Sequence, residues 1–261
     1  NTHWYKQSTE PLFPDLIWSR PENKNQSGKL LIVGGSVSGF LSVAESYNES
    51  LSAGVGNSKT LLPASLQKNI GRVLDNCDFA PSNNSGSFSR KALSEWIDMS
   101  AWADGVIVVG DLGRSSETAI LLESYLTKFT GLLTITKDCV DYFHSNPERV
   151  LQRPNTTIVV SIAQLQKLAK NIKWKTAITF NMSSFQLVEQ LYELSKSYTC
   201  NIITVHNELT FVSCDGKIST TTYENNGSWR VSYATWTAVW WIQNPKKPFE
   251  SMTTAIYAKN N

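Results

Sequence analysis

The stretch Asp104-Gly-Val-Ile-Val-Val-Gly-Asp-Leu-Gly-Arg-Ser-Ser-Glu117 joins an apolar run to a glycine turn and then to the start of a helix. The apolar residues 106–109 are continuous rather than alternating, which predicts a strand covered on both faces. Gly110 and Gly113 permit a tight turn or a close approach of the backbone to a ligand. The serines that follow can cap a helix whose first amides attract anions. The same pattern also fits a plain strand-to-helix turn, so the glycines by themselves leave both interpretations open.

Composition narrows the class of protein. The chain has 261 residues, with 41% hydrophobic and 18% charged residues, which is typical of a globular protein. We expect an N-terminal arm over residues 1–28, packed on a single α/β domain over residues 29–261. The net charge of +2 and the lack of a Lys/Arg block argue against a nucleic-acid partner. No run approaches the roughly 20 apolar residues of a membrane helix, so we expect no membrane partner.

Cysteine and histidine usage indicates the compartment and the metal content. The four cysteines are far apart and show no C-x-x-C spacing, and no signal segment opens the chain. These features predict a reduced, cytoplasmic protein. None of the three histidines is paired with cysteine or carboxylate at ligand spacing, so we predict no protein-built metal site.

Hydrophobic periodicity predicts strands that alternate with helices. The predicted strands are residues 30–33, 60–62, 106–109, 132–135, 157–160 and 177–180, and the predicted helices are residues 41–51, 92–99, 120–129, 140–143, 163–169 and 185–198. Residues 72–88 are polar and predict a loop that does not pack. Three strands at 202–205, 209–212 and 217–222 change the rhythm and predict an antiparallel edge, with Asp215-Gly216 as a hairpin signal. Two predicted helices, a Trp-rich one at 229–242 and another at 249–258, close the chain.

This order predicts an α/β fold: a three-layer α/β/α sandwich with a mostly parallel central sheet and an antiparallel edge. In such sheets ligands bind beyond the carboxyl ends of the strands. We therefore expect Gly34-Gly35-Ser36, residues 110–114 and Lys137-Asp138 to share one rim.

Read in order, these segments resemble the ribokinase-like superfamily, and within it the ADP/ATP-dependent NAD(P)H-hydrate dehydratases, over most of residues 28–242. The segment from Gly28 to Ser36 resembles the opening strand and Gly-Gly-Ser turn of that family, and Ser52-Ala-Gly-Val-Gly56 resembles its Ala-Gly-x-Gly segment. Asp104 to Gly113 is similar to the strand that ends in Gly-Pro-Gly-Leu-Gly, with Asp111 in place of proline. Leu133 to Val140 resembles the strand that ends in Asp-Ala-Asp-Ala-Leu and keeps its second acid as Asp138.

The departures from the family pattern fall where its chemistry is expected. The Thr-Pro-His-x-Gly-Glu segment becomes Val159-Val-Ser-Ile-Ala-Gln164, so its histidine and glutamate are lost. A late Lys-Gly aligns with Val205-His206. The Gly-[Ser/Thr]-Gly-Asp helix start, which supplies an anion hole and the catalytic Asp in kinase relatives, becomes Gly227-Ser-Trp-Arg230. Arginine cannot act as a general base, because its guanidinium stays protonated at any working pH.

The resemblance implies a divergent protein that binds a nucleotide or a phosphorylated metabolite, for example ADP or ATP with Mg²⁺, and whose catalysis is reduced or lost, as in a pseudoenzyme. Two alternatives remain open. One is an active NAD(P)H-hydrate dehydratase or small-molecule kinase that uses Asp138, or else Asp111, as its catalytic acid, and the other is a non-catalytic scaffold that forms a homo-oligomer. The candidate ligand-binding residues are Gly34, Gly35, Ser36, Gly110, Asp111, Gly113, Arg114, Lys137, Gln164, His206, Gly227, Ser228 and Arg230.

Several of these residues also have plain structural interpretations. Lys137 and Asp138 fit a surface ion pair as well as a working pair. His206 fits a structural histidine at the end of a strand. The tryptophans of residues 229–241 fit a nucleobase stack, a buried core or a subunit contact.

Overall fold

A computed structural model of the chain describes residues 2–70, 74, 76–224 and 227–261. Its strands are β1 Trp4–Gln7, β2 Lys29–Val33, β3 Asn57–Pro63, β4 Cys77–Ala80, β5 Gly105–Val108, β6 Leu132–Thr136, β7 Thr156–Val159, β8 Asn201–His206, β9 Leu209–Cys214 and β10 Lys217–Thr222. Its α-helices are α1 Pro14–Trp18, α2 Leu41–Ser52, α3 Gln67–Ile70, α4 Leu93–Trp102, α5 Ser116–Lys128, α6 Asp138–Asp141, α7 Glu148–Leu151, α8 Ile162–Asn171, α9 Ser184–Ser197, α10 Trp229–Gln243 and α11 Pro248–Asn260.

The strands form one sheet in the order β1-β10-β9-β8-β7-β6-β5-β2-β3-β4. In this spatial order, all neighbouring strands between β8 and β4 pair in parallel. Strand β9 runs antiparallel to both β8 and β10. Parallel neighbours need a long crossover, which the helices provide, whereas the short hairpins at β8-β9 and β9-β10 join antiparallel strands. The predicted mostly parallel sheet with an antiparallel edge is confirmed.

Both faces of the sheet are covered by helices. Leu31 and Val33 of β2 belong to the core on one face, which includes Trp96 of α4. Leu30 and Ile32 belong to the core on the other face, which includes Val43 of α2. Successive strand side chains point to opposite faces, so a strand buried on both sides needs a continuous apolar run. The three-layer arrangement follows from this burial.

The strand predicted at residues 177–180 is wrong. These residues form an irregular connection between α8 and α9, and β7 pairs directly with β8. Ile178 is buried, but Phe180 is exposed. A short apolar run does not by itself distinguish a strand from a connection that anchors one side chain.

The loop predicted over residues 72–88 needs correction. Residues 72, 73 and 75 lie outside the described residues, and the remainder includes β4, which pairs in parallel with β3 at the edge of the sheet. Phe88 is fully buried and stacks edge-on against Trp96, with ring centroids 5.0 Å apart. An edge strand has one side free, so it tolerates the polar composition that indicated a loop.

The N-terminal residues contribute an edge strand. β1 pairs in parallel with β10, and Gln7 is buried, where its Nε2 donates to Thr221 Oγ1 (3.0 Å) and to the carbonyl of Thr253 (2.9 Å). The sequence predicted only an arm packed on the domain. Residues 4–7 are too few for a clear alternating pattern, so the strand was missed.

The Trp-rich helix α10 lies in the interior. Trp240 and Trp241 are 1% and 3% exposed, so for these two residues the core interpretation holds. α10 packs against α2, α11 and the sheet. Within the part of the chain that the structure describes, no helix has both the length and the apolar character that a bilayer crossing requires.

Candidate functional site

The glycine turns that follow β2 and β5 are in direct contact. The amide of Gly35 donates to the carbonyl of Gly110 (3.0 Å), and a Cβ atom on Gly34 would lie only 2.7 Å from that same oxygen. A Cβ atom on Gly113 would lie 2.7 Å from Ser87 Oγ. Because β2 and β5 are parallel neighbours, their carboxyl ends bring these turns together. The convergence expected for the two turns is present.

The amides of the β5 turn already hold a carboxylate. The amide of Asp111 donates to Asp138 Oδ1 (2.6 Å) and the amide of Leu112 donates to Asp138 Oδ2 (2.8 Å). The turn needs left-handed backbone at Gly110 (φ 95°) and at Asp111 (φ 56°) to point both amides the same way. Burial raises the pKa of Asp138, and the two amide hydrogen bonds offset this only in part.

Asp111 connects this turn to the start of α2. Its Oδ2 accepts the amide of Ser42 (2.8 Å), and its Oδ1 accepts Lys137 Nζ (3.2 Å). Lys137 Nζ also donates to Ser42 Oγ (2.6 Å). Burial by itself raises the pKa of Asp111, but the hydrogen bonds from Ser42 and the charge of Lys137 outweigh it, so the pKa lies below its ordinary value. Lys137 therefore pairs with Asp111.

Gln164 links three elements at the same edge. It closes the capping box of α8 with Ser161, and its Nε2 donates to the carbonyl of Lys137 (2.9 Å) and to Asp141 Oδ1 (3.0 Å). Its Oε1 also accepts Arg230 Nη1 (3.2 Å). Gln164 thus joins α8 to the end of β6 and to the first turn of α10.

Near the start of α10 lies an acid of α2, Glu45, which was not predicted from the sequence. The hydroxyl of Ser228, just before the helix, donates to Glu45 of α2. Burial raises the pKa of Glu45, and the hydrogen bond from Ser228 opposes this effect. Ser42-Val-Ala-Glu45 has the spacing of a capping box, and this spacing is the sequence signal that could have drawn attention to Glu45. In the structure Ser42 and Glu45 instead face the β5 turn and α10.

A cavity of about 390 Å³ opens beside the β5 turn and the start of α5. Arg114 is exposed at its border, and the hydroxyl of Tyr142 donates to the carbonyl of Gly113 (2.7 Å). Ser115, one of the two predicted caps, is the N-cap of α5. His206 stands apart from these contacts, because it is buried with Nε2 2.7 Å from the carbonyl of Met182.

Comparison with solved structures places this architecture among known folds. The chain is similar to a ribokinase-like superfamily protein from Enterococcus faecalis, with a TM-score of 0.72 and 15% identity over 97% of this chain and 85% of that one. The chain has the ribokinase-like fold. No protein-family model matches the sequence, and no curated protein matches it either.

Two further solved structures to which the chain is similar are enzymes in complex with nucleotides. One is the ADP/ATP-dependent NAD(P)H-hydrate dehydratase from Bacillus subtilis, co-crystallised with ATP/Mg²⁺, with a TM-score of 0.63 and 11% identity over 95% of this chain and 86% of that one. Another is Bacillus subtilis pyridoxal kinase in an ADP complex, with a TM-score of 0.55 and 9% identity over 89% of this chain and 88% of that one.

In this ribokinase-like chain the two predicted anion-binding positions, the β5 turn and the start of α10, differ in whether a group of the chain already occupies them. The amides of the β5 turn are already bonded to Asp138, whereas Gly227 is exposed. Among the described residues, and apart from the chain neighbours of Gly227, no atom lies within 4 Å of the position that a Cβ on this glycine would take. Ser228 adds a hydroxyl beside Glu45. Arg230 adds a guanidinium in the first turn of α10. A hydroxyl and a guanidinium fit the oxygens of a phosphate group. Mg²⁺ would arrive with that phosphate, because proteins hold Mg²⁺ through one or two carboxylates together with the phosphates of the ligand.

Proposed function

We propose that this protein binds a nucleotide or another phosphorylated metabolite at the carboxyl edge of its sheet, and that its phosphoryl-transfer activity is reduced or lost. The observation that carries the proposal is Arg230. This residue occupies the first turn of α10, where the resemblance expects an aspartate, and it donates to Gln164.

Phosphoryl transfer to a hydroxyl needs a group that can accept the proton of that hydroxyl. A guanidinium keeps its proton at any working pH, so Arg230 cannot take a proton from an attacking hydroxyl. Asp138 is the other acid that the resemblance offers, but both of its oxygens accept backbone amides. Neither residue is therefore arranged as a general base.

The start of α10 offers hydrogen-bond donors to an anion. α10 is a helix of 15 residues, and its first amides carry partial positive charge toward an exposed glycine. Arg230 adds a donor suited to phosphate oxygens. Solved structures with this fold include complexes with ADP and with ATP/Mg²⁺, which supports a ligand of this class.

Thermal unfolding with ATP, ADP, AMP, NADH and sugar phosphates, each with and without Mg²⁺, tests the proposal. A ligand present at 100 times its dissociation constant adds about 2.7 kcal/mol and raises the unfolding midpoint. We expect Arg230→Ala to lose this response. Arg149→Ala is the matched control, because Arg149 lies on α7 beside a different cavity, and it should keep the response.

Each half of the proposal has its own contrary result. No stabilisation of the wild-type protein by any of these ligands at millimolar concentration would overturn binding. Turnover of a sugar or of an NAD(P)H hydrate by the wild-type protein, with nucleotide consumed at about 1–100 s⁻¹ as in ordinary kinases, would overturn the reduction or loss of catalysis.

A further inference from the structure

We infer that the β5 turn is an anion site that the chain fills with its own carboxylate, so that Asp138 stands where a ligand's carboxylate or phosphate oxygens would otherwise bind. Two consecutive amides, those of Asp111 and Leu112, each donate to a different oxygen of Asp138, at 2.6 and 2.8 Å. Paired amides that point into one concavity are a general device for holding an oxyanion.

The glycine of this turn is explained by the same contact. A Cβ atom on Gly110 would overlap Asp138 Oδ1 and would also crowd the Cβ of Lys137. Gly110 therefore makes room for the carboxylate of the chain itself. The glycine turn that was predicted to approach a ligand is present. The group that it approaches is the carboxylate of Asp138, the first residue of α6, which follows the neighbouring strand β6.

The occupied turn has a consequence for ligands. An external phosphate cannot use the amides of Asp111 and Leu112 while Asp138 holds them, so the wild-type turn is closed to anions. Removing the carboxylate should open a site for a small oxyanion such as formate, acetate or inorganic phosphate. This inference does not depend on the proposed function, because it concerns an internal contact.

The test is chemical rescue of Asp138→Ala. The variant leaves two amides without acceptors, and we expect its unfolding midpoint to fall by about 5–10 °C. Sodium formate matches the missing carboxylate and should raise that midpoint progressively with concentration, while leaving the wild-type midpoint unchanged. Formamide, which has the same shape without the charge, and sodium chloride at equal ionic strength should not do so.

Asp141→Ala is the matched control. Asp141 lies on the same short helix, is half exposed and accepts Gln164 rather than backbone amides. Formate should not stabilise this variant. If formate raises the midpoints of both variants equally, or of neither, the inference is overturned.

Amide signals provide a measurement that does not need the alanine variant to fold. Inorganic phosphate should leave the Asp111 and Leu112 amide resonances of the wild-type protein unshifted. Asp138→Asn keeps one carbonyl acceptor, so one of the two amides should lose its protection from hydrogen exchange and the other should keep it. Phosphate-induced shifts of these resonances in the wild-type protein, or full protection of both amides in Asp138→Asn, would contradict the inference.

Discussion

Asp111 shows how one side chain can serve two elements. It stands where related sequences are expected to carry proline, and it takes a left-handed backbone conformation that proline cannot adopt. Its carboxylate accepts the first-turn amide of α2 and pairs with Lys137. The substitution therefore replaces a rigid turn residue with an ionised cap for a neighbouring helix.

The pH dependence of Asp111→Asn tests this role. The pKa of Asp111 is lowered in the folded state, so its ionised form contributes stability above the unfolded pKa near 4, and that contribution is lost as the pH falls further. We expect the variant to be less stable by about 1–3 kcal/mol at pH 7. The deficit should shrink below about pH 4. Urea unfolding across this pH range measures it.

Asp98→Asn is the control for this prediction. Asp98 is exposed on α4, and its replacement should change stability by less than about 0.5 kcal/mol at every pH. If the deficit of Asp111→Asn stays constant down to pH 3, the carboxylate does not act as an ionised cap.

Helices α8 and α9 start with the same motif but differ in what surrounds it. Ser161 and Gln164 form a capping box at α8, and Ser183 and Gln186 form one at α9. The box at α9 was predicted from its sequence spacing. Gln164 is buried and also bonds to three groups outside its own box, whereas Gln186 is exposed.

The paired variants Gln164→Ala and Gln186→Ala separate capping from bridging. Loss of the box alone should cost about 0.5–1 kcal/mol in Gln186→Ala. Gln164→Ala should cost about 2–3 kcal/mol, because the variant also removes the hydrogen bonds of Gln164 to the Lys137 carbonyl, Asp141 and Arg230. Denaturant unfolding of both variants measures the difference. Equal losses would show that Gln164 acts only as a cap.

Strand β1 forms one edge of the ten-stranded sheet. This strand covers β10, and Tyr5 packs on Phe249 of α11 with ring centroids 5.4 Å apart. The side chain of Gln7 reaches the backbone of α11. The first residues of the chain therefore join the sheet to its last helix.

Removing residues 1–8 should destabilise the protein and expose the backbone of β10. An unpaired strand edge is a template for association, so we expect a lower unfolding midpoint together with concentration-dependent aggregation in light scattering. Glu10→Ala, an exposed change just beyond β1, should leave both properties unchanged. A truncated chain that unfolds at the full-length midpoint and remains monodisperse would contradict this account.

The order of strands and helices was largely predictable, because the periodicity of apolar residues is a local property. The runs that became β2, β5, β6 and β7 are short and continuous, as strands covered on both faces must be. The failures occurred where local pattern carries little information: β1 and β4 are short edge strands, and residues 177–180 bury one apolar side chain without forming a strand.

Local sequence patterns were sufficient to predict the layered fold and the convergence of the glycine turns. The proposal that a general base is lost likewise comes from the sequence, which has an arginine at position 230. The groups that meet at that edge could not be predicted without the three-dimensional packing. Asp138 reaches the Asp111 amide across 27 residues, and Arg230 reaches Gln164 across 66. These contacts depend on the pairing of β5 with β6 and on the packing of α10. Such long-range distances cannot be derived from local periodicity, because they depend on how distant elements are placed side by side.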